Sequence, residues 1–390
     1  MSQLDQVISD INKKYKTDLI KKGNEYTPLP KIPFSSPRAN YLTYGGVPIG
    51  KSTELFGPES GGKTTTAIDL VANAQRLSYK LWKDRYDELS STLKELKEKN
   101  NKSDAKKIKK YEEELTEHES VGPRKVVYVD AENTLDEEWA TLNGVDIDNL
   151  YLIRPEDQTA EEVLQMIIDL IKSGEIILLV LDSVPMLVGQ NVYEEDMSKK
   201  SYGGISGPLS EFSRRISAVI AKNETALVSI NQVREDMDNP FNIYKTPGGR
   251  AWKHLHGLRI YLRKGSFIDE RNNELKNNAE APHGNLVNMQ VIKTKVSKPD
   301  RRMGFYTLKY NEGIDYLADT VDLSVMYDFV VKAGAWYKFI DADTGEILSD
   351  DNGEELKFQG RASLLEYLRE HDELFEELRD ALNAKANEKA

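Results

Sequence analysis

Residues 57–65 read Gly-Pro-Glu-Ser-Gly-Gly-Lys-Thr-Thr, and they constrain this chain more than any other stretch. They fit the pattern G-x-x-x-x-G-K-[ST]. The apolar run Thr53–Phe56 precedes them, and Thr66, Ile68, Leu70, Val71 and Ala74 follow at helical spacing. A strand that ends in such a turn and opens a helix points backbone N–H groups, and the positive end of a helix dipole, at one place. The group that suits this place is a phosphate chain. Gly57, Pro58, Glu59, Ser60, Gly61, Gly62 and Thr65 form the cradle, Lys63 reaches the β- and γ-phosphates, and the Thr64 hydroxyl turns to Mg²⁺. A glycine-rich turn matching by chance would lack the strand before it and the helix after it.

With 390 residues, 39% of them hydrophobic and 30% charged, the chain has the make-up of a soluble protein of two or three domains. No run of about 18 apolar residues predicts a membrane span. The N-terminal MSQLDQVISDINKKYK lacks the apolar core of a signal peptide, and the absence of cysteine excludes disulfides and thiolate metal sites; both suit the cytoplasm. A net charge of −12 argues against a global attraction to nucleic acid, so any DNA contact must come from local basic groups.

Leu4, Val7, Ile8 and Ile11 share one face of a short helix. A linker bearing Pro28, Pro30, Pro33 and Pro37 follows, so the first 45 residues read as an arm for docking on a neighbouring subunit or as a frayed terminus. After Leu77 the sequence is dense in Lys and Glu to about Glu119. Leu89, Leu93 and Leu96, then Ile108, Tyr111 and Leu115, keep apolar stripes on either side of Asn100–Asp104. This predicts a helical hairpin projecting from the core over about 77–121, with a solvated helix or a disordered insert as the alternative.

Val126–Asp130 and Ile176–Asp182 are aliphatic runs that end in acid, the pattern of strands buried in a parallel sheet. A carboxylate just past such a strand faces the crevice where α/β sheets bind ligands. Glu132 is therefore the candidate base for an attacking water and Asp182 the candidate Mg²⁺ holder, although Asp130 and Asp136 also read as caps of a following turn and helix. Ala226–Gln232 is a third such strand, and its Gln232 can hydrogen-bond a γ-phosphate. Two long segments without periodicity, 189–207 and 233–249, have the look of functional loops.

Nine ordered stretches resemble the bacterial RecA recombinase family: 57–65, VDAENTLD (129–136), GVDIDNL (144–150), VLDSV (180–184), INQVR (230–234), TPGGRAWK (246–253), IKTKVSKP (292–299), YNEGID (310–315) and KAGAWY (332–337). The resemblance implies an α/β fold: a RecA-type ATPase core with a mostly parallel central sheet, an N-terminal helix arm, the hairpin insertion and a small α/β C-terminal domain. The expected divisions are 1–45, 46–314 and 315–390. It implies ATP and Mg²⁺ as ligands, helical filaments of many copies on single-stranded DNA, pairing with double-stranded DNA, strand exchange, and DNA-dependent ATP hydrolysis. The family's setting is the cytoplasm at the nucleoid, or a host's cytoplasm for a phage-encoded member, with a single-stranded-DNA-binding protein and a loader as further partners. Lys63, Glu132, Asp182 and Gln232 match its catalytic and sensing positions, and Asp136 lies with them at the nucleotide. Trp139 falls where the family stacks a Tyr on adenine, and Lys293 and Lys295 match lysines that reach the neighbouring subunit's ATP. Ser210, Arg214, Arg234, Gly248, Gly249 and Arg250 match DNA-phosphate positions, while Tyr202, Met237 and Phe241 stand where apolar side chains insert or pack.

Towards the C-terminus the pattern predicts a helix over Asp319–Val331, a strand opening at Trp336, turns over Asp341–Gly353 and a final helix over Leu364–Leu382. A ring helicase on the same core is the alternative function, but it expects a dedicated N-terminal domain that 45 residues do not supply. A non-catalytic filament or mediator protein is another, opposed by the complete set of Lys63, Glu132, Asp182 and Gln232. Gly207 stands where the family has an Arg, and Glu235, Asp236 and Asp238 place acids in the second loop. These departures predict weaker, more salt-sensitive DNA binding than a typical family member shows. A filter-binding titration over a salt series measures it, and equal affinity throughout would refute it.

Overall fold

The structure is a computed structural model that describes residues 3–15, 20, 29–99, 104–190, 204–234, 244–276, 278–341, 344–350 and 352–387. The chain divides into two units, Met1–Pro30 and Lys31–Ala390. In the first, α1 (Gln3–Tyr15) has no buried residue and exposes Leu4 and Val7. The residues from Lys31 onward belong to the main body: β1 (Lys31–Ile32) pairs with β2 (Val47–Pro48), with α2 (Pro37–Thr43) between them.

The strand that leads into the glycine-rich turn is β3 (Ser52–Gly57), and α3 (Lys63–Lys99) follows the turn. Then come α4 (Ala105–Val121), β4 (Lys125–Asp130), α5 (Glu137–Leu142), β5 (Leu150–Ile153), α6 (Ala160–Lys172), β6 (Ile176–Asp182), α7 (Ser206–Lys222), β7 (Ala226–Gln232) and α8 (Gly249–Leu255). Next are β8 (Leu258–Ile268), β9 (Glu274–Leu275), β10 (Gly284–Thr294), β11 (Met303–Lys309), β12 (Gly313–Ile314) and α9 (Tyr316–Met326). The chain ends with β13 (Val330–Ala333), β14 (Trp336–Phe339), β15 (Lys357–Gln359), α10 (Arg361–Glu370) and α11 (Asp372–Asn387).

The main sheet has the order β12-β11-β10-β8-β3-β7-β6-β4-β5, with β9 beside β8. From β8 to β5 the strands run parallel, while β10 to β12 add antiparallel partners. Both faces are covered, as aliphatic strands such as Ile176–Leu181 require. One core joins the first half of α3 to β1–β3, and the other packs α6, α7 and Trp252 of α8 on the opposite face. The crossover from β3 passes beyond β7 and β6 to β4, which leaves a crevice over the carboxyl ends of β3, β6 and β7.

The predicted hairpin forms. α3 continues as one helix of 37 residues, about 55 Å long, and α4 returns antiparallel along it. Trp82 Nε1 donates to the His118 carbonyl (3.1 Å), the two rings stack, and Arg85 pairs with Glu114. Leu89 and Leu93 are buried, whereas no residue of α4 is.

Two C-terminal expectations need correction. The helix expected over Asp319–Val331 spans Tyr316–Met326, because Asp328 adopts a left-handed φ of 60° and the β-branched pair Val330-Val331 enters β13. The final helix is two helices, α10 and α11, separated at His371. Leu364, Leu368, Phe375, Leu378 and Leu382 keep one spacing across the break because both helices face the same core.

α2 locks this C-terminal region to the sheet. Its N-cap Ser36 donates to Asp319 Oδ2 (2.6 Å), Arg38 pairs with Asp322 (2.7 Å), and Asn40 donates to Asn383 (2.9 Å). Burial pushes the Asp319 carboxyl up to about 7, against the opposing pull of Ser36 and Arg38. The folded state therefore holds a proton that the unfolded chain releases above about pH 4, so stability declines as pH rises between those values. Asp319→Asn cannot ionise and keeps an acceptor. It should gain on the parent as pH rises from 4 to 7, reaching on the order of 2 kcal/mol in denaturant titrations at pH 7.5 against pH 4.5.

Candidate nucleotide site at the carboxyl ends of β3, β6 and β7

β3 is buried along its whole length between β8 and β7. Its last residue, Gly57, lies so close to β8 that a Cβ there would stand 1.9 Å from the Leu262 carbonyl oxygen. Ser60 and Gly62 then take left-handed φ values of 56° and 86°, which curl the loop and turn its N–H groups inward. α3 starts at Lys63 with no acid in its first turn, so no carboxylate competes for its positive end. Lys63 Nζ lies back across the loop and donates to the Pro58 carbonyl (2.6 Å). Burial lowers its pKa, and the charges of Asp182, Glu132 and Glu59 resist the fall.

Asp130 and Asp182 stand opposite one another at the ends of β4 and β6. Asp130 is a structural cap: it accepts from the N–H groups of Thr134 and Leu135 (both 3.1 Å). Asp136 likewise caps α5 through the Trp139 N–H (3.0 Å). Glu132 takes neither capping role; it accepts a hydrogen bond from Ser183 Oγ. Asp182 Oδ2 accepts from Thr64 Oγ1 (3.0 Å) and from the buried Tyr128 hydroxyl (2.7 Å). Burial pushes Asp182 up to about 6, the two hydroxyl donors pull it down, and Glu132 and Asp130 add to the rise. The Thr64 hydroxyl and Asp182 carboxylate form a hard-oxygen pair that fits Mg²⁺, which takes one or two protein ligands alongside substrate phosphates and waters. Among the described residues there is no cluster of three or more His, Cys, Asp or Glu of the kind an all-protein metal cage needs.

Gln232 ends β7 in register with Gly57, so β3 and β7 deliver the loop and the amide side by side. Trp139, partly buried, packs against the core that includes α3. Tyr128 lies outside every motif, an aromatic within an aliphatic strand, and Ser183, although inside VLDSV (180–184), carries no role there because it is a common residue after an acid. The short lengths from Tyr128 to Asp130 and from Asp182 to Ser183 were the only signal.

Lys293 and Lys295 are elsewhere. Lys293 pairs with Arg259, which pairs with Glu54, so it stands three rows back from Gly57. At about 3.3 Å per residue that is roughly 10 Å along the sheet, in the direction away from the loop. These lysines cannot complete the phosphate site of their own chain. Instead Lys293 Nζ donates to the Lys253 carbonyl (2.6 Å) and Lys295 Nζ to that of His254 (3.1 Å), closing the C-terminal end of α8. Burial, then the charges of Lys295 and Arg259, bring the Lys293 ammonium down to about 8.

Lys295 also lines a cavity of about 590 Å³ with Lys51, Arg214 and His254. Arg214 is exposed on α7 and donates to the Ser210 carbonyl (3.3 Å). The base of the second loop is closed by the Arg234 N–H on the Lys245 carbonyl (2.8 Å). Gly248 and Gly249 both have positive φ, and Arg250 is exposed at the start of α8. Tyr202, Met237 and Phe241, and the acids at 235, 236 and 238, lie outside the described residues.

Residues 2–81 and 115–315 match the family model of the RecA N-terminal domain, and residues 318–387 match that of the RecA C-terminal domain. Residues 82–114, the outer part of the hairpin, lie between the matched segments. The protein RecA of Aquifex pyrophilus is 29% identical over 382 residues, covering 97% of this chain and 90% of its own length. That of Lactobacillus delbrueckii subsp. bulgaricus is 32% identical over 338 residues, 86% of this chain and 81% of its own. The protein RecA of Thermus aquaticus is 31% identical over 339 residues, with 87% and 80% covered.

The tight meeting of Gly57 with β8 predicts that Gly57→Ala forces backbone apart in the centre of the sheet. The expected loss is about 3 kcal/mol or more, read as a drop in thermal midpoint. Gly207→Ala, where a Cβ meets nothing within 4 Å and φ is not positive, should cost far less.

Proposed function

This chain belongs to the RecA family of recombination proteins, and we propose that it polymerises on single-stranded DNA as a helical filament that performs homologous pairing and strand exchange with double-stranded DNA. In this reading the filament hydrolyses ATP in a DNA-dependent manner. The observation that carries the proposal is the separation just described. The phosphate cradle occupies one end of the sheet and the lysine pair the other, so a head-to-tail stack of copies brings the two halves together.

The residues divide the chemistry among themselves. The loop 57–62 and the start of α3 hold the phosphates, with Lys63 on the β- and γ-groups. Thr64 and Asp182 would hold Mg²⁺, which neutralises phosphate charge when bound. Ser183 fixes one oxygen of Glu132. The other oxygen then orients a water for in-line attack on the γ-phosphorus; Glu132 takes the water proton as the bond to ADP breaks. Charge that develops on the transferred group meets Lys63 and, from the next subunit, Lys293 and Lys295. Trp139 offers a flat ring to adenine, beside Asp136. Gln232 hydrogen-bonds the γ-phosphate and passes its state to the second loop. Ser210, Arg214, Arg234, Gly248, Gly249 and Arg250 contact DNA phosphates, with Tyr202, Met237 and Phe241 as the apolar partners of the bases. The proposed setting is the cytoplasm at the nucleoid, with a single-stranded-DNA-binding protein and a loader as further partners.

A mixing experiment tests the shared site. Lys63→Ala alone and Lys293→Ala/Lys295→Ala alone should each abolish DNA-stimulated hydrolysis. Equal mixtures should regain activity, because about a quarter of random head-to-tail junctions join an intact cradle to intact lysines. A mixture as inactive as its components would remove the lysines from the neighbour's site. Electron microscopy with an ATP analogue and single-stranded DNA should show helical filaments, whereas closed rings would point to a helicase.

A further inference from the structure

Glu54 is the only charged residue in β3, and it has no exposed surface. Three donors from three other elements converge on it. Asn231 Nδ2 (2.8 Å) and Trp252 Nε1 (3.1 Å) reach Oε1, and Arg259 Nε (2.5 Å) reaches Oε2. All three donors are buried. A buried carboxylate needs this degree of pairing, and a Leu would fill the same space without it, so packing alone does not account for the charge.

Each donor has a second attachment. Asn231 Oδ1 accepts from the Gln232 N–H (3.0 Å), and Asn231 Nδ2 also donates to the Pro247 carbonyl (3.1 Å). Arg259 donates to Thr246 Oγ1 (3.3 Å) and lies over the Phe56 ring. Trp252 belongs to α8, whose last carbonyls hold Lys293 and Lys295. The second loop therefore re-enters the fold at Thr246 and Pro247 directly on this network. One short helix is gripped at its middle residue, Trp252, by Glu54 and at its C-terminal end by the lysines.

We infer that Glu54 is a positioning residue that couples the γ-phosphate sensor Gln232 to α8, and through α8 to both the anchor of the second DNA loop and the lysines offered to the next subunit. The inference rests on the proposed role of Gln232. A change at the end of β7 moves Asn231, and the Glu54 carboxylate carries that change to Trp252 because both side chains donate to the same oxygen, Oε1. Nucleotide bound by one subunit thereby alters how that subunit presents Lys293 and Lys295 to its neighbour's nucleotide, which gives cooperativity along a filament a physical route.

The first test uses the unaltered full-length protein. Hydrogen exchange is followed over residues 246–255 with and without a non-hydrolysable ATP analogue and Mg²⁺, in the absence of DNA. A change of threefold or more in the exchange of α8 amides is expected, and indifference of α8 to bound analogue would overturn the inference. Trp252→Phe keeps most of the packing and deletes the N–H donated to Glu54. It should bind the analogue, lose the α8 response and lose DNA stimulation of hydrolysis several-fold. Phe212→Leu weakens the same core next to Trp252 (ring centroids 6.2 Å apart) and leaves every Glu54 donor in place, so stimulation should persist. Equal loss in both variants would mean a merely structural role. If Trp252→Phe fails to fold, the exchange result on the parent decides. If the parent binds analogue yet shows no DNA-stimulated hydrolysis, the proposed function fails, and that outcome is distinct from an unresponsive α8.

Discussion

The approach of β3 to β8 at Gly57 governs the rest of the architecture. Only a residue without a side chain lets the strand end against the Leu262 carbonyl, and the loop that follows inherits its position from that contact. With the strand seated there, α3 starts over the crevice and Gln232 stands in register beside the loop. Asp182 then comes within hydrogen-bond distance of Thr64. A small shift of β3 would misplace all three together, because a close-packed sheet with helices on both faces has no slack to absorb it.

Much of this is legible in the sequence. The cradle, the strand-end acids and Gln232 combine two strong local signals: aliphatic runs of strand length, and turn residues whose backbone requirements few other residues satisfy. The hairpin was legible for the same reason, since its apolar stripes persist through a charge-rich region. Helix ends in the C-terminal part were not. An apolar spacing that continues across His371 reports a shared core rather than a continuous helix, and the run to Val331 hid the left-handed turn at Asp328. The roles of lone partners such as Tyr128 and Ser183 leave little trace because a single hydroxyl has no period.

Glu54 is a more instructive omission. An acidic side chain in the middle of an apolar strand is costly unless something pairs with it, so Thr53-Glu54-Leu55-Phe56 did contain a signal. The matching cation, Arg259, is 205 residues away and reads as an ordinary member of the next strand. Long-range pairing of this kind appears only when the topology places β8 next to β3. The same holds for the lysines. Their residue type marks them only as cations at the end of β10, and the register alone shows that their own phosphate cradle is out of reach.

The hairpin has a mechanical consequence. The helix whose first turn faces the phosphates continues without interruption to Lys99, and its outer half is braced by α4. A rigid rod of about 55 Å pivoted at one end converts a 5° tilt into a sweep of about 5 Å at the other. Whatever rotates the base of this helix by an amount too small to disturb the sheet is thus displayed, magnified, at the periphery of the molecule, on a segment that the family's common core does without.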